Sequence, residues 1–178
     1  MSQQSLHTFL ECSQMMIARF LPCCLYAALA FSDTRSVDPI SLTLHSPQFC
    51  ASVTAHRLNT PEARQIGFSG EPAKIRALLF VWNRPTQRNF WMKNTHIPIV
   101  LFRLSNSGRV QHVSLLTPND ATIHEDPLQG QFALEVRLDG LTPQEITQLK
   151  SIDQVSGASF SSAHRPATPC TSYSSNLF

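Results

Sequence analysis

The sequence predicts an all-β domain, a sandwich or barrel-like fold of about seven strands with two short helices. Three observations lead there. Several segments alternate apolar and polar residues with a period of two, as strands buried on one face do. Turn residues separate these segments at short intervals. Helix-opening signals occur at only two places, each beginning with Thr-Pro. A chain of 178 residues with 42% apolar composition can bury one good core and is short for two, so the strands belong to a single domain.

Taken in order, the strand patterns are Ile40 to His45, Cys50 to Leu58, Ile75 to Trp82, Gln87 to Asn94, Ile97 to Leu104, Arg109 to Leu116 and Gln131 to Leu138. The last is the clearest. Phe132, Leu134, Val136 and Leu138 share one face, while Ala133, Glu135 and Arg137 share the other. Ser105-Asn106-Ser107-Gly108 joins the fifth and sixth as a hairpin turn. Between the second and third, Thr60 can cap a helical turn, with Pro61 at its first position, Glu62 favoured by the dipole and Gly67 as the stop. Thr142-Pro143-Gln144-Glu145 reads as a capping box that opens a helix with Ile146 and Leu149 on one face. From Ser156 onward Ser, Thr and Pro dominate without periodicity, so residues 156–178 read as a flexible extension.

The N-terminus reads as an export signal. Arg19 precedes an apolar run from Phe20 to Ala30 that ends in Ala28-Leu29-Ala30, an A-x-A cleavage pattern. The run is too short for a stable transmembrane helix, which needs roughly 20 apolar residues. Residues 1–30 are therefore expected to leave as a signal peptide, delivering a β domain of residues 31–155 and its tail to the periplasm or the medium, with no membrane span retained. The segment before the signal carries Glu11 and no cation, so translation from Met15 or Met16 would give a more usual signal.

Of five cysteines, Cys12, Cys23 and Cys24 depart with the signal, leaving Cys50 and Cys170. In an oxidising compartment this pair can form a disulfide, which would close a loop of roughly 120 residues and contribute on the order of 4 to 5 kcal/mol in the chain-entropy picture. The alternative leaves one buried thiol and one in the tail. The formal net charge of +2 comes without a basic run, which argues against a nucleic-acid partner. No zinc spacing, phosphate loop, dinucleotide fingerprint or nucleophile elbow is present, so no cofactor or metal is expected.

The segment with the richest chemistry is Phe90-Trp91-Met92-Lys93-Asn94-Thr95. As a strand it would put Phe90 and Met92 in the core, with Trp91 and Lys93 on the other face. Trp91, Lys93, Asn94 and Thr95 form the candidate ligand-binding group, with Trp82 as a second aromatic platform. The purely structural reading makes Asn94-Thr95 a polar corner that bonds local backbone. His96 and His112 could approach on neighbouring strands but lack a third metal donor in sequence. His124-Glu125-Asp126 between Pro118 and Pro127 reads as a solvated loop, and Glu135 as exposed or paired with an Arg.

The same segment with Ile97-Pro98, preceded by Leu78-Leu79-Phe80-Val81 and by Thr60-Pro61-Glu62 with Arg64 and Gly67, and followed by Gly108-Arg109-Val110 and Leu134-Glu135-Val136, resembles domain of unknown function 192. The resemblance spans about Leu42 to Val155. It implies a small, often exported prokaryotic protein with a β-sandwich or barrel-like fold, and no settled activity. Two positions depart from the family pattern. Val100 stands where an acidic residue is common, and Ser69 where a Met is common. A valine cannot serve as acid, base or metal ligand. The expected role is therefore binding of an unknown small molecule, saccharide or cell-envelope component. A structural or accessory envelope protein is the alternative, and a hydrolase the third reading, which a cleft gathering Lys93, His96 and a carboxylate would favour.

Overall fold

A computed structural model describes residues 38–70, 75–125 and 128–160. The domain is mostly β, as expected. Among the described residues nine strands form: β1 (Asp38–His45), β2 (Cys50–Leu58), β3 (Ala77–Thr86), β4 (Asn89–Phe90), β5 (Ile99–Leu104), β6 (Val110–Leu116), β7 (His124–Glu125), β8 (Gly130–Arg137) and β9 (Gln154–Ser156). Among the described residues two helices accompany them, α1 (Pro61–Ile66) and α2 (Pro143–Lys150). Seven strands make one sheet in the order β6-β5-β8-β3-β2-β1-β9, and β4 pairs with β7 in a separate ribbon.

The sheet curls until its two end strands meet. Arg109, just ahead of β6, bridges Gln154 of β9. Val110 N–H donates to the Asp153 carbonyl at 2.9 Å, and Val155 N–H to the Gly108 carbonyl at 2.8 Å. Gly108 makes this seam possible. It ends the predicted turn with φ at +80°, and a Cβ there would overlap the Val155 carbonyl oxygen.

Period-two alternation sorts the strand residues onto two faces. Leu42, Leu44, Val53, Leu79, Val100, Phe102, Leu134 and Val136 fill the interior of the curl, joined by Leu149 of α2. The neighbouring positions Leu78, Phe80, Ile99, Leu101 and Ala133 form a second buried cluster on the outside, covered by Ala63 of α1, Phe68, Phe90, Met92 and Ile97. This second cluster exists because β2 and β3 are parallel, and such a pair needs a crossover connection, here α1, which lies across a face of the sheet. Both helix caps are as the sequence implies. Thr60 Oγ1 accepts from Ala63 N–H at 3.1 Å and Gly67 closes α1 with φ at +50°, while Thr142 and Glu145 complete the capping box of α2.

Three expectations require correction. The strand predicted over Gln87 to Asn94 is cut to Asn89–Phe90, because Asn94 adopts φ of +58° and turns the chain. His124-Glu125, expected in a solvated loop, pairs with it as β7, with Phe90 opposite His124 and Asn89 opposite Glu125; Asp126 lies outside the described residues. The extension expected from Ser156 begins inside the fold. Ser156 pairs with Thr43, and the Phe160 ring packs 4.9 Å from that of Phe132. Residues 161–178, like the expected signal, lie outside the described residues.

Cys50 is buried at the start of β2, its sulfur 3.4 Å from His45 Nδ1, and takes part in a disulfide. Cys170, the partner the sequence suggests, lies outside the described residues. Mass measurement after alkylation under non-reducing conditions is expected to show Cys50 and Cys170 both blocked; two alkylated thiols would refute the pairing.

Candidate functional site

The Phe90-to-Thr95 segment leaves the sheet as a tight turn. Thr95 N–H donates to the Met92 carbonyl at 3.1 Å, placing Lys93 and Asn94 at the apex, where asparagine tolerates the left-handed backbone. The turn is held on both sides. Met92 N–H donates to the Asp120 carbonyl (3.0 Å), Asn119 N–H to the Thr95 carbonyl (2.8 Å) and Gly70 N–H to the Asn94 carbonyl (3.3 Å). Phe90 and Met92 are buried, 7% and 1% exposed, as predicted, while Trp91 is 51% exposed. Lys93 Nζ stands 5.2 Å from the Trp91 ring centroid, within cation–π range.

Between this turn, α1 with the Gly67-to-Ser69 corner, and the outer face of the sheet lies a cleft of about 680 Å³, within the usual size of small-molecule sites. Trp82, Trp91, Lys93, Asn94 and Thr95, the five candidate binding residues, all line it. They do not contribute alike. Thr95 is buried, its backbone committed to the turn. Trp82 does not form the open platform expected of it. The Arg88 guanidinium lies 3.8 Å from its ring centroid and that of Arg64 at 5.4 Å, with Phe80 stacked at 5.8 Å. The aromatic surface open to a ligand is Trp91.

Arg88 is itself tied down, donating to the carbonyls of Thr86, Gly130 and Arg84. Arg64 donates through one nitrogen to the Val81 carbonyl at 2.8 Å. Ser69, one of the two positions at which the sequence departs from the resemblance, lines the cleft wall. Val100, the other such position, points into the interior of the curl, away from the cleft.

The residue sequence reasoning missed is Glu135. Expected to be exposed or paired with an Arg, it is 6% exposed on β8 and lines the cleft. Its strand lies between β3 and β5 with Leu78 and Leu101 directly opposite, so the outer cluster surrounds it. No hydrogen bond or ion pair from the described residues reaches its carboxyl. Burial alone pushes that carboxyl up to about 8, so at neutral pH it is a neutral acid able to donate a hydrogen bond. The arginine that the alternation placed beside it, Arg137, is turned instead to Asp139, with two bonds at 2.9 and 2.7 Å, and holds that carboxylate below its ordinary range.

Other sequence candidates do not join the site. His112 lies opposite Arg103 in the β5–β6 pairing, whereas His96 precedes the far end of β5, and both are exposed. His124 Nε2 sits 3.4 Å from Asp120, outside the cleft lining. Among the described residues no group of three His, Cys, Asp or Glu could hold a metal, and no helix is long and apolar enough to cross a membrane.

With this geometry in view, comparison with known proteins places the chain. The model of the DUF192 family, described as an uncharacterized ACR, matches residues 43–153, more than half of the chain. The chain belongs to the DUF192 family. The match takes in every strand from β2 to β8, both helices and the whole cleft lining. Two solved structures are similar to this DUF192 domain. One is a Sinorhizobium meliloti protein described as a candidate transcription regulator, 17% identical with a TM-score of 0.61 over 70% of this chain and 98% of that one. The other is a protein of unknown function from Novosphingobium aromaticivorans, 22% identical with a TM-score of 0.58 over 71% of this chain and 91% of that one. At such identities the likeness shows the fold alone. No curated protein matches the chain.

Proposed function

We propose that this DUF192 member is an exported binding protein whose cleft between α1 and the Phe90-to-Thr95 turn takes a saccharide or a similarly polar ring compound. The observation that carries the reading is the pairing, in one cleft, of an exposed tryptophan with a buried carboxyl that has no partner among the described residues. An indole face at the mouth covers the apolar face of a ring at little entropic cost. A carboxyl that lines the cleft and has no partner among the described residues is available to bond a ligand oxygen. Binding is favoured over hydrolysis because Glu135 is the one carboxyl among the described cleft-lining residues, and the usual glycosidase arrangement needs two. Lys93 and an acid do share the cleft, but that acid is neutral at pH 7 and His96 stays out of the lining.

Following the two indole N–H resonances during titration with neutral and acidic mono- and disaccharides tests this reading. The Trp91 signal should shift with at least one sugar, and Trp91→Ala should abolish the response; no shift with any sugar at millimolar concentration would refute it. Export rests on Arg19, the run from Phe20 to Ala30 and the Ala28-Leu29-Ala30 pattern. Sequencing the protein from the extracytoplasmic fraction is expected to give Phe31 as the first residue. A mature chain starting at Met1 in the cytoplasm would contradict it.

A further inference from the structure

The charges around the cleft are unbalanced. Among the described residues its lining carries three cations, Arg64, Arg88 and Lys93, and one acid, Glu135. That acid is buried in the outer apolar cluster with no cation paired to it, and desolvation favours its neutral form. A neutral floor under a cationic rim creates a positive field in a partly enclosed space, where charge is screened less than on an open surface. Arg88 is committed to three backbone carbonyls, and the other two cations differ in how much they are already used. Lys93 is exposed at the apex of the turn beside Trp91, and Arg64 spends one guanidinium nitrogen on Val81, the other two making no bond to the described residues.

We propose that the ligand is an acidic saccharide of the uronic acid class, its ring against Trp91, its carboxylate received by Lys93 and Arg64, and one of its oxygens bonded by the Glu135 carboxyl. This deepens the binding reading and rests on it. An arginine presents a planar fork suited to a carboxylate, and lysine adds a mobile point charge. A donor at the base suits a ligand oxygen, since an ionised carboxylate there would repel the anion the rim attracts. The three contacts come from α1, the turn and β8, so a ligand bearing only one of the required groups leaves the others unused.

Isothermal titration of the purified protein with glucuronate, glucose and acetate tests the proposal. Glucuronate should bind about tenfold tighter than glucose, and acetate weaker than glucuronate by at least as much. Lys93→Ala should weaken glucuronate several-fold, and added salt should do the same in the unaltered protein. Glu135→Gln, which keeps the shape and a donor, should retain glucuronate binding, whereas Glu135→Leu should lose it while still unfolding cooperatively. Equal affinity for glucose and glucuronate overturns the charge inference and leaves the binding reading standing. Equal affinity for acetate and glucuronate overturns the saccharide class. Binding of none of the three overturns this proposal, and the binding reading falls with it only if the wider sugar titration is also silent.

Discussion

Replacing Phe90 with alanine should lower the stability of the domain by roughly 3 to 5 kcal/mol, the range for deleting a large buried aromatic. Phe90 is 7% exposed, and its ring meets Phe80 edge-on at 5.7 Å and Trp82 at 6.3 Å. Those edge-on pairs add to the lost burial, and β4 is too short to hold its place by backbone bonds alone. Urea denaturation measures the loss. Lys93→Ala, at the exposed apex only three residues along, should change stability by no more than about 0.5 kcal/mol. If Lys93→Ala unfolds the domain and Phe90→Ala leaves it intact, the assignment of core and cleft sides along the segment is wrong.

Stability should fall as pH rises through the neutral range, and Glu135 should be the cause. Its carboxyl titrates near 8 when folded against 4.5 as its ordinary value, so the folded state holds the proton over a range in which the unfolded chain has released it. The contribution is fully present below about pH 4.5, declines between 4.5 and 8, and levels off above. At 1.36 kcal/mol per pH unit, a separation of that size amounts to about 5 kcal/mol in total, of which about half falls between pH 6 and 9. Asp139 acts oppositely: held low by Arg137, it contributes stability that is lost only as pH falls through the acid range. His45, lowered by burial, also acts oppositely, but only below about its ordinary value of 6.5. Chemical denaturation at pH 7, 8 and 9 therefore isolates Glu135. The Glu135→Gln protein should show a much flatter profile and exceed the unaltered protein in stability at pH 9. Identical profiles for the two would remove Glu135 as the source.

How far the sequence revealed this arrangement depended on the range of the interactions concerned. Alternation found β8 and assigned Leu134 and Val136 to the interior, because a strand's facing is a local property. Thr60, Gly67, Thr142 and Glu145 marked their helix ends for the same reason. Alternation says which residues share a face, not what covers it. Ala133 and Glu135 share the face opposite the interior, but Phe68, Met92 and Ile97, which bury it, come from two distant stretches of chain. The cleft escaped notice similarly, since α1 and the turn meet through contacts such as Gly70 to Asn94. The two-residue β4 and β7 and the three-residue β9 are too short for any period to show. The sequence showed Glu135 only as a lone acid in an apolar strand; that Leu78 and Leu101 stand opposite it is set by the sheet register.

The seam between Gly108 and Val155 also bears on the order in which the domain can fold. The β5–β6 pairing joins residues close in sequence and can form early, whereas β9 must reach β1 across nearly the whole domain, bringing Thr43 to Ser156. Contacts of such high sequence separation slow folding, because chain closure must precede the gain. Until β9 docks, the curl would stay open, exposing the interior leucines and two unpaired strand edges to other chains. The same three-residue strand should be among the first to open in the folded protein. Val155 and Val110 amides would then exchange with solvent through local opening, well before those of Leu134 and Val136 at the centre of the sheet.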